Sequence, residues 1–257
     1  MRIATFNCNS VRARLETVTG WLDAHRPDLL ALQETKVVDA LFPREPFEAR
    51  GYTVYCAGMK GYNGVALLAR TPAQSVRFGF EDHGPPDAPR LLHAEWKGLH
   101  LINTYVPQGR ATDHAMFPYK VAWYGRLRRY IESRLTPRQS VLWLGDLNVA
   151  AEPIDVYNPE DRADHVCYHQ DVRTAFAHCR DWGFTDVFRA FHPEPGHYSF
   201  FDYRTIWRGR DGDGWRLDYL LATKPLARRA RDCWIDLEPR RGPRPSDHCF
   251  VAADFEG

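Results

Sequence analysis

Bulk charge is nearly absent from this chain: 34 Lys and Arg are set against 33 Asp and Glu, leaving a formal net charge of +1. A protein that binds nucleic acid by overall basicity is therefore excluded, and any such binding must rest on local charge. Nothing approaches the ~18 uninterrupted apolar residues of a membrane span, so no membrane association is expected. From Met1 the chain runs straight into an apolar segment, without a basic region followed by an apolar one, so no secretory signal is expected. Its six cysteines (Cys8, Cys56, Cys167, Cys179, Cys233 and Cys249) show no CxxC spacing, and several sit in apolar surroundings. They read as free thiols of a reducing compartment, which points to a cytoplasmic protein. Linkers, low-complexity tracts and internal repeats are missing too. With 257 residues and 44% hydrophobic content, the chain can bury a large core, and one domain over 1–257 is expected.

The positive charge that exists is clustered: Arg12 and Arg14; Arg126, Arg128 and Arg129; Arg228, Arg229 and Arg231; Arg240, Arg241 and Arg244. Acidic residues gathered in a metal site and basic residues on its rim would give this small sum with a strong local field. The Arg126 to Arg129 run reads as a solvated helix face, because Val121, Tyr124, Leu127, Ile131 and Leu135 form the apolar stripe of that helix. Arg12 and Arg14 are better candidates for contact, since they follow Asn7 and Asn9.

What is present in quantity is a repeated local pattern, an apolar run that ends in a polar group. The run Val141-Leu142-Trp143-Leu144 meets Gly145-Asp146-Leu147-Asn148. Two residues apart, Asp146 and Asn148 would project from one face of a strand. A buried carboxylate and carboxamide are costly unless a metal, a water or a phosphate pairs with them. Taken alone, the segment could equally be a strand end with Asx-turn chemistry. The pattern recurs in Leu29-Leu30-Ala31-Leu32-Gln33-Glu34, in Leu101 to Pro107 through Tyr105, and in Trp215-Arg216-Leu217-Asp218-Tyr219. It also recurs where Ser246-Asp247-His248 leads into Cys249-Phe250-Val251, and where Arg2 to Phe6 opens onto Asn7-Cys8-Asn9. Polar groups at several strand ends are how an α/β scaffold carries a site.

The expected elements alternate. A strand at 2–6, a helix near Leu15–Ala24 and a strand at 28–34 precede a hairpin of Leu91–Trp96 and Leu99–Tyr105, turned at Lys97-Gly98. A helix over Tyr119–Leu135 leads to a strand at 141–146. A second helix near Asp171–Trp182 stops at Gly183, and strands near 216–222, 232–237 and 248–254 follow. This argues an α/β fold with mixed sheets.

Phe6-Asn7-Cys8-Asn9, Leu32-Gln33-Glu34-Thr35-Lys36, Tyr62-Asn63-Gly64-Val65-Ala66, Tyr105-Val106-Pro107-Gln108-Gly109, Gly145-Asp146-Leu147-Asn148-Val149-Ala150, Arg216-Leu217-Asp218-Tyr219 and Ser246-Asp247-His248 occur in that order. Together they resemble the exonuclease III family of the endonuclease/exonuclease/phosphatase superfamily, and the resemblance runs from Arg2 to about Phe255. It implies two mixed β-sheets packed face to face between helical layers, a four-layer α/β sandwich.

The resemblance also implies a site. Glu34 would offer a hard oxygen to Mg²⁺, or alternatively Mn²⁺, with Asn7, Asp146, Asn148 and Asp247 as further metal-site residues. Asp247 would serve the same metal or a second one. Asp146, flanked by Asn7 and Asn148, would orient and deprotonate the attacking water. His248, paired with Asp218, would contact a non-bridging phosphate oxygen. Tyr105 would donate its phenol to the phosphate or, if ionised, assist directly. The remaining histidines show no metal-ligand spacing and receive no role. Arg12, Lys36, Gln108 and Arg110 lean towards DNA, as does the aromatic run Tyr198 to Tyr203 before Trp215. Phe200 and Trp215 would wall a pocket for a flipped, base-less sugar; the competing reading makes both core aromatics.

Two features depart from the family or stand outside it. Ser10 sits where the family commonly has Gly, and the charged stretch Arg208 to Gly214 is expected to touch DNA or stay mobile. The expected function is a metal-dependent DNA-repair phosphodiesterase acting as a monomer on duplex DNA, especially abasic or 3′-blocked, cleaving 5′ to abasic sites. Exonuclease activity in the 3′→5′ direction and 3′-end processing accompany it as family expectations. The alternative is a superfamily phosphatase acting on a small phosphoester such as a phosphoinositide. A binding module without chemistry is disfavoured by the intact Glu34, Asp146, Asn148, Asp218 and His248.

Overall fold

The computed structural model describes residues 1–203 and 213–257. In chain order these form β1 (Arg2–Asn7), α1 (Leu15–His25), β2 (Leu29–Gln33), α2 (Glu45–Glu48), β3 (Thr53–Ala57), β4 (Val65–Ala69), β5 (Ser75–Phe78), β6 (Leu91–Trp96) and β7 (Leu99–Tyr105). The chain continues through α3 (Met116–Arg134), β8 (Ser140–Asp146), α4 (Gln170–Arg180), β9 (Phe184–Asp186), α5 (Val187–Phe191), β10 (Phe200–Phe201), β11 (Gly214–Trp215), β12 (Asp218–Thr223), β13 (Ala230–Asp236) and β14 (Phe250–Phe255).

Two six-stranded sheets result, ordered β13-β14-β1-β2-β4-β3 and β5-β6-β7-β8-β12-β9. Each contains one parallel pair, β1 with β2 and β7 with β8, while the other neighbours run antiparallel. Period-2 alternation divides the side chains between layers. Ile3, Leu29, Leu67, Leu101, Leu142, Leu220 and Val251 meet between the two sheets. Ala4, Phe6, Leu30, Leu68 and Phe250 face outwards onto Trp21 and Leu22 of α1. On the far side, Ile102, Trp143 and Tyr219 pack under Trp123, Tyr124 and Leu127 of α3 and Val172 and Phe176 of α4. The four-layer arrangement is the expected one, and removing each buried Leu or Phe from water contributes about 1.5–3 kcal/mol.

A polar contact crosses the inter-sheet core. Gln33 Nε2 donates to Asn103 Oδ1 at 2.7 Å, and Asn103 Nδ2 donates to the carbonyls of Leu32 and Ala66 at 3.1 and 3.0 Å. Thr5 Oγ1 accepts a further bond from Gln33 at 2.9 Å. The C-terminal parts of β2 and β7 are thereby locked to each other across the sandwich. Close pairing of β7 with β8 needs Gly145, since a Cβ there would lie 2.1 Å from the Thr104 carbonyl oxygen.

Several expectations need correction. β3, β4, β5 and β9 lie outside the expected set; β4 is buried on both faces and so shows no alternation. The second long helix stops at Arg180, with Gly183 beyond its end. Arg126 is not on a solvated face. It is buried, donates to Asp82 at 2.7 Å and also pairs with Asp87, both from the loop before β6. Val121 is only half-buried, at the margin of the stripe that Tyr124, Leu127 and Ile131 occupy.

Candidate active site

Strand direction explains why the polar groups converge. β1, β2, β7 and β8 deliver their C-terminal ends to one rim of the sandwich. β12 and β14 run antiparallel to their neighbours β8 and β1, so their N-terminal ends reach the same rim. Register makes this concrete, with Tyr105 opposite Asp146 and Asp218 opposite Asp146. The rim opens into a cavity of about 610 Å³ lined in part by Glu34, Tyr105, Gln108, Asp146, Asn148, Phe200, Trp215, Asp247 and His248.

Asn7 joins the two sheets' carboxylates. Its Nδ2 donates to Glu34 Oε1 at 2.9 Å and to Asp146 Oδ2 at 2.8 Å. The Asn148 backbone amide donates to Asp146 Oδ1 at 2.9 Å, and Asn148 Nδ2 reaches Asp146 Oδ2 at 3.2 Å. These two residues therefore meet through an Asx-type turn, with Asn148 at φ 50°, and not by projecting from one strand face. The strand stops at Asp146. Glu34, at φ 51°, and Ser10, at φ 89°, also hold left-handed backbone conformations that side chains seldom adopt. Ser10 thus takes up the conformation for which a glycine is usual, and its amide donates to the Glu34 carbonyl at 2.8 Å.

His248 forms the second unit. Its Nδ1 lies 2.8 Å from Asp218 Oδ2, and its Nε2 faces Asp146 Oδ2 at 3.7 Å. Ser199 Oγ donates to the same Asp218 oxygen at 2.7 Å, while Asp218 Oδ1 is buried without a hydrogen-bond partner among the described residues. Burial by itself would lower the imidazole pKa, but the carboxylates of Asp218 and Asp146 outweigh it and hold His248 protonated, at about 10. Burial pushes the Asp146 carboxyl up, against the pull of His248, and Asp218 and Glu34 push it further. Burial also acts to raise Glu34, but Lys36 and Asn7 override it and keep the carboxyl below its ordinary value. Burial, with Glu34 and Asp146 nearby, drives the Tyr105 phenol well above its usual range. That direction favours the protonated phenol over the ionised form.

The acidic lining bears on the metal. Asp247 joins Glu34 and Asp146 around the cavity, where Lys36 pairs with Glu34, the protonated His248 faces Asp146, and Asp213 pairs with Arg162. The hard carboxylate oxygens of Glu34 and Asp146 suit a divalent cation such as Mg²⁺. Asp146, Asp218 and His248 also place three ligand atoms within 4.8 Å of one another. In that group, however, the imidazole and Asp218 already satisfy each other, and Glu34 with Asp146 makes the better donor pair. Asn7 turns its Nδ2 to both carboxylates while its Oδ1 accepts from the Asn9 amide at 3.1 Å, so it positions them. Asp247 stands one step away, accepting from Asn9 Nδ2 at 3.0 Å.

The substrate candidates divide. Phe200 and Trp215 are cross-strand partners, their rings 5.0 Å from His248 and 4.3 Å from His165, and both line the cavity. Gln108 is exposed on the rim and accepts from the Arg110 amide at 2.6 Å. Lys36 is engaged with Glu34 at 2.7 Å and Asn9 Oδ1 at 2.6 Å, which makes it part of the site's internal charge balance. Arg14 is likewise engaged, with the Asn9 and Pro245 carbonyls and the Tyr203 hydroxyl. Arg12 is exposed and lines a separate groove beside α1, away from the carboxylates. Arg110 is exposed beside that rim. Most of the 208–214 stretch lies outside the described residues; Asp213 pairs with Arg162 at 3.0 Å.

Sequence reading missed Lys120. Its ammonium is fully buried and donates to the carbonyls of Gln108, Asn148 and Val166 at 3.0, 2.6 and 2.7 Å. Its position four residues before Tyr124 and seven before Leu127, on the apolar stripe of α3, was the available signal. Also missed were Arg162, His165 and Cys167 of the cavity wall, which lie in a loop with no periodic pattern.

Comparison with known proteins agrees with this geometry. Residues 4–248 match the model of the Endonuclease/Exonuclease/phosphatase family. The chain belongs to this family. Among family relatives it is 33% identical to exodeoxyribonuclease III of Haemophilus influenzae, with 100% of both chains covered. Its structure superposes on an AP endonuclease from Archaeoglobus fulgidus with a TM-score of 0.96 and 44% identity, again covering 100% of both chains. A 3′ phosphatase from Neisseria, solved with a product DNA hairpin, gives a TM-score of 0.94 at 34% identity and full coverage of both chains.

Proposed function

We propose that this family member is a divalent-metal-dependent DNA-repair phosphodiesterase that cleaves duplex DNA on the 5′ side of abasic sites and also processes blocked 3′ ends. The observation that carries the reading is the placement of Asp146. Its carboxylate is buried, bonded by Asn7 and Asn148, faced by the His248–Asp218 pair, and set in a cavity walled by Phe200 and Trp215.

Asp146 accepts the proton of the attacking water, a role suited to a carboxyl whose pKa is raised towards neutrality. Asn7 and Asn148 fix the orientation of that carboxylate, so the water is met from one direction. The His248 imidazolium, held charged by Asp218, contacts a non-bridging phosphate oxygen as negative charge builds there. The Tyr105 phenol donates a second hydrogen bond to the phosphate. Glu34 and Asp146, positioned by Asn7, would hold Mg²⁺ or Mn²⁺, which would supply charge neutralisation at the phosphate and at the departing oxygen. An anionic phosphodiester approaching the Glu34 and Asp146 carboxylates needs that counter-charge. Phe200 and Trp215 bound the space for a sugar rotated out of the helix, and rotation is cheapest where no base is paired.

The test is incubation with a labelled duplex carrying one tetrahydrofuran abasic analogue, with Mg²⁺ and with chelator. A single nick 5′ of the analogue that chelator abolishes is the expected outcome. A ladder from the 3′ end without a nick would keep the chemistry and remove the abasic preference. Hydrolysis of a small phosphoester with no cleavage of DNA would overturn the reading.

A further inference from the structure

We propose a second metal site, remote in chemistry from the acidic cavity, formed by His192, Glu194 and His197 and suited to a transition-metal cation of the Zn²⁺ class. The three side chains present ligand atoms that all lie within 4.8 Å of one another. His197 Nε2 is 2.8 Å from Glu194 Oε1, and His192 Nδ1 is 3.6 Å from the same oxygen. Tetrahedral Zn²⁺ with bonds of about 2.0–2.1 Å sets its ligands roughly 3.3 Å apart, so small side-chain movements close the site.

The tautomer of His192 is fixed from outside the cluster. Its Nε2 lies 2.8 Å from the Cys233 carbonyl, which can only accept. Nε2 therefore carries the hydrogen, and in the neutral ring Nδ1 presents a lone pair towards Glu194. A histidine ligand held by a carbonyl on its other nitrogen is the usual arrangement at protein metal sites. The Glu194 carboxyl is held below its ordinary value by its own backbone amide and by His197, so it is ionised at neutral pH.

The backbone is prepared as well. Pro193 and Pro195 restrict the segment, and Gly196, at φ 92°, turns it back so that His197 faces Glu194. Arg189 Nη1 donates to the carbonyls of His192 and Glu194 at 3.0 and 2.7 Å, and its guanidinium is anchored on buried Asp155. The Phe188 ring flanks both imidazoles at centroid distances of 4.6 and 5.5 Å. Both histidines are partly exposed and Glu194 is exposed, which leaves a position for water. Two imidazoles and one carboxylate favour Zn²⁺ over Mg²⁺, whereas the hard oxygens of Glu34 and Asp146 favour Mg²⁺. The cluster immediately precedes Ser199 and Phe200, so a bound cation would staple the segment that supports Asp218 and the cavity wall.

The test is calorimetric titration of the full chain with Zn²⁺ in millimolar Mg²⁺, which keeps the acidic cavity occupied. A parallel titration with Co²⁺ reads the absorption of a low-symmetry nitrogen and oxygen site. The expected result is one Zn²⁺ per chain, weakened about 100-fold or more in His197→Ala and in Glu194→Gln, and unchanged in Glu34→Gln. Thermal midpoint should rise with Zn²⁺ in the parent chain and not in His197→Ala. Equal binding by the parent and both site variants, or loss confined to Glu34→Gln, overturns the proposal; so does an absence of Zn²⁺ binding under Mg²⁺.

Discussion

Gln33 and Asn103 meet in the middle of the sandwich, one from each sheet, and bond side chain to side chain at 2.7 Å, fully buried. Gln33 directly precedes Glu34, and Asn103 stands two residues before Tyr105. The contact therefore sets how the two halves of the candidate site face each other. In Gln33→Leu, Asn103 and Thr5 each lose a buried partner, and stability should fall by ~1–3 kcal/mol in urea denaturation. Because Glu34 would shift relative to Asp146, kcat for the abasic duplex should drop by about 10-fold to 100-fold. Unchanged kcat with reduced stability would confine Gln33 to packing.

Lys120 gathers three loops on one ammonium group. Burial lowers its pKa, so part of the gain from its three carbonyl bonds is spent on desolvation. Lys120→Met should cost about 1–3 kcal/mol net by leaving those carbonyls without a donor. Cleavage should fall by more than stability predicts, since the Asn148 carbonyl is one of the three. Comparing kcat with the denaturation midpoint at a temperature where both proteins are folded separates the two effects.

Asp146→Asn separates catalysis from folding. The carboxylate is costly to bury, as its raised pKa records, and asparagine keeps acceptor capacity without the charge. Cleavage should fall by ~10²–10⁴ with the thermal midpoint equal to or above that of the parent. A lowered midpoint would mean the charge stabilises the fold.

The His248–Asp218 pair makes stability depend on alkaline pH. The folded-state pKa of His248 is raised above its ordinary value of 6.5 to about 10. Its contribution is therefore complete below about pH 6.5 and is lost as pH rises towards 10. Asp146 shifts stability in the same direction at lower pH, because an acid with a raised pKa favours the fold only while protonated. Asp218→Asn removes the main partner of His248, so the decline between pH 7 and 10 should flatten. Metal-free denaturation across that range measures it, and an unaltered slope would assign the decline elsewhere.

Asp155 lies at the centre of a buried ion network, bonded to Arg216 at 2.8 Å and also paired with Arg189; Arg216 is paired with Asp186 at 2.7 Å. Asp155→Ala leaves two guanidinium groups without their shared carboxylate and should destabilise by ~3–5 kcal/mol in chemical denaturation. A loss under 1 kcal/mol would mean that water replaces the carboxylate.

Local chemistry was legible wherever a short apolar run stopped at a polar side chain, as at Glu34, Tyr105, Asp146 and Asp218. Val65–Ala69, buried on both faces, lacks the period-2 alternation that marks a half-exposed strand. Arg126 was misread because its partners, Asp82 and Asp87, come from a distant loop, and no helical periodicity reports them. His192, Glu194 and His197 fit neither helical nor strand spacing, and only the reversal at Gly196 brings them together.

The sequence by itself determined which groups stand at strand ends, the α/β character of the chain and its likeness to a nuclease family, because periodicity and motif order are written along the chain. Tertiary structure decided the rest. Asn7 and Asp146 are 139 residues apart, and only strand direction and register bring them to 2.8 Å. Burial among those neighbours, not residue type, keeps His248 charged and Tyr105 neutral. It also decides that Lys36 and Arg14 are held by the site, leaving Arg12 and Arg110 open to solvent.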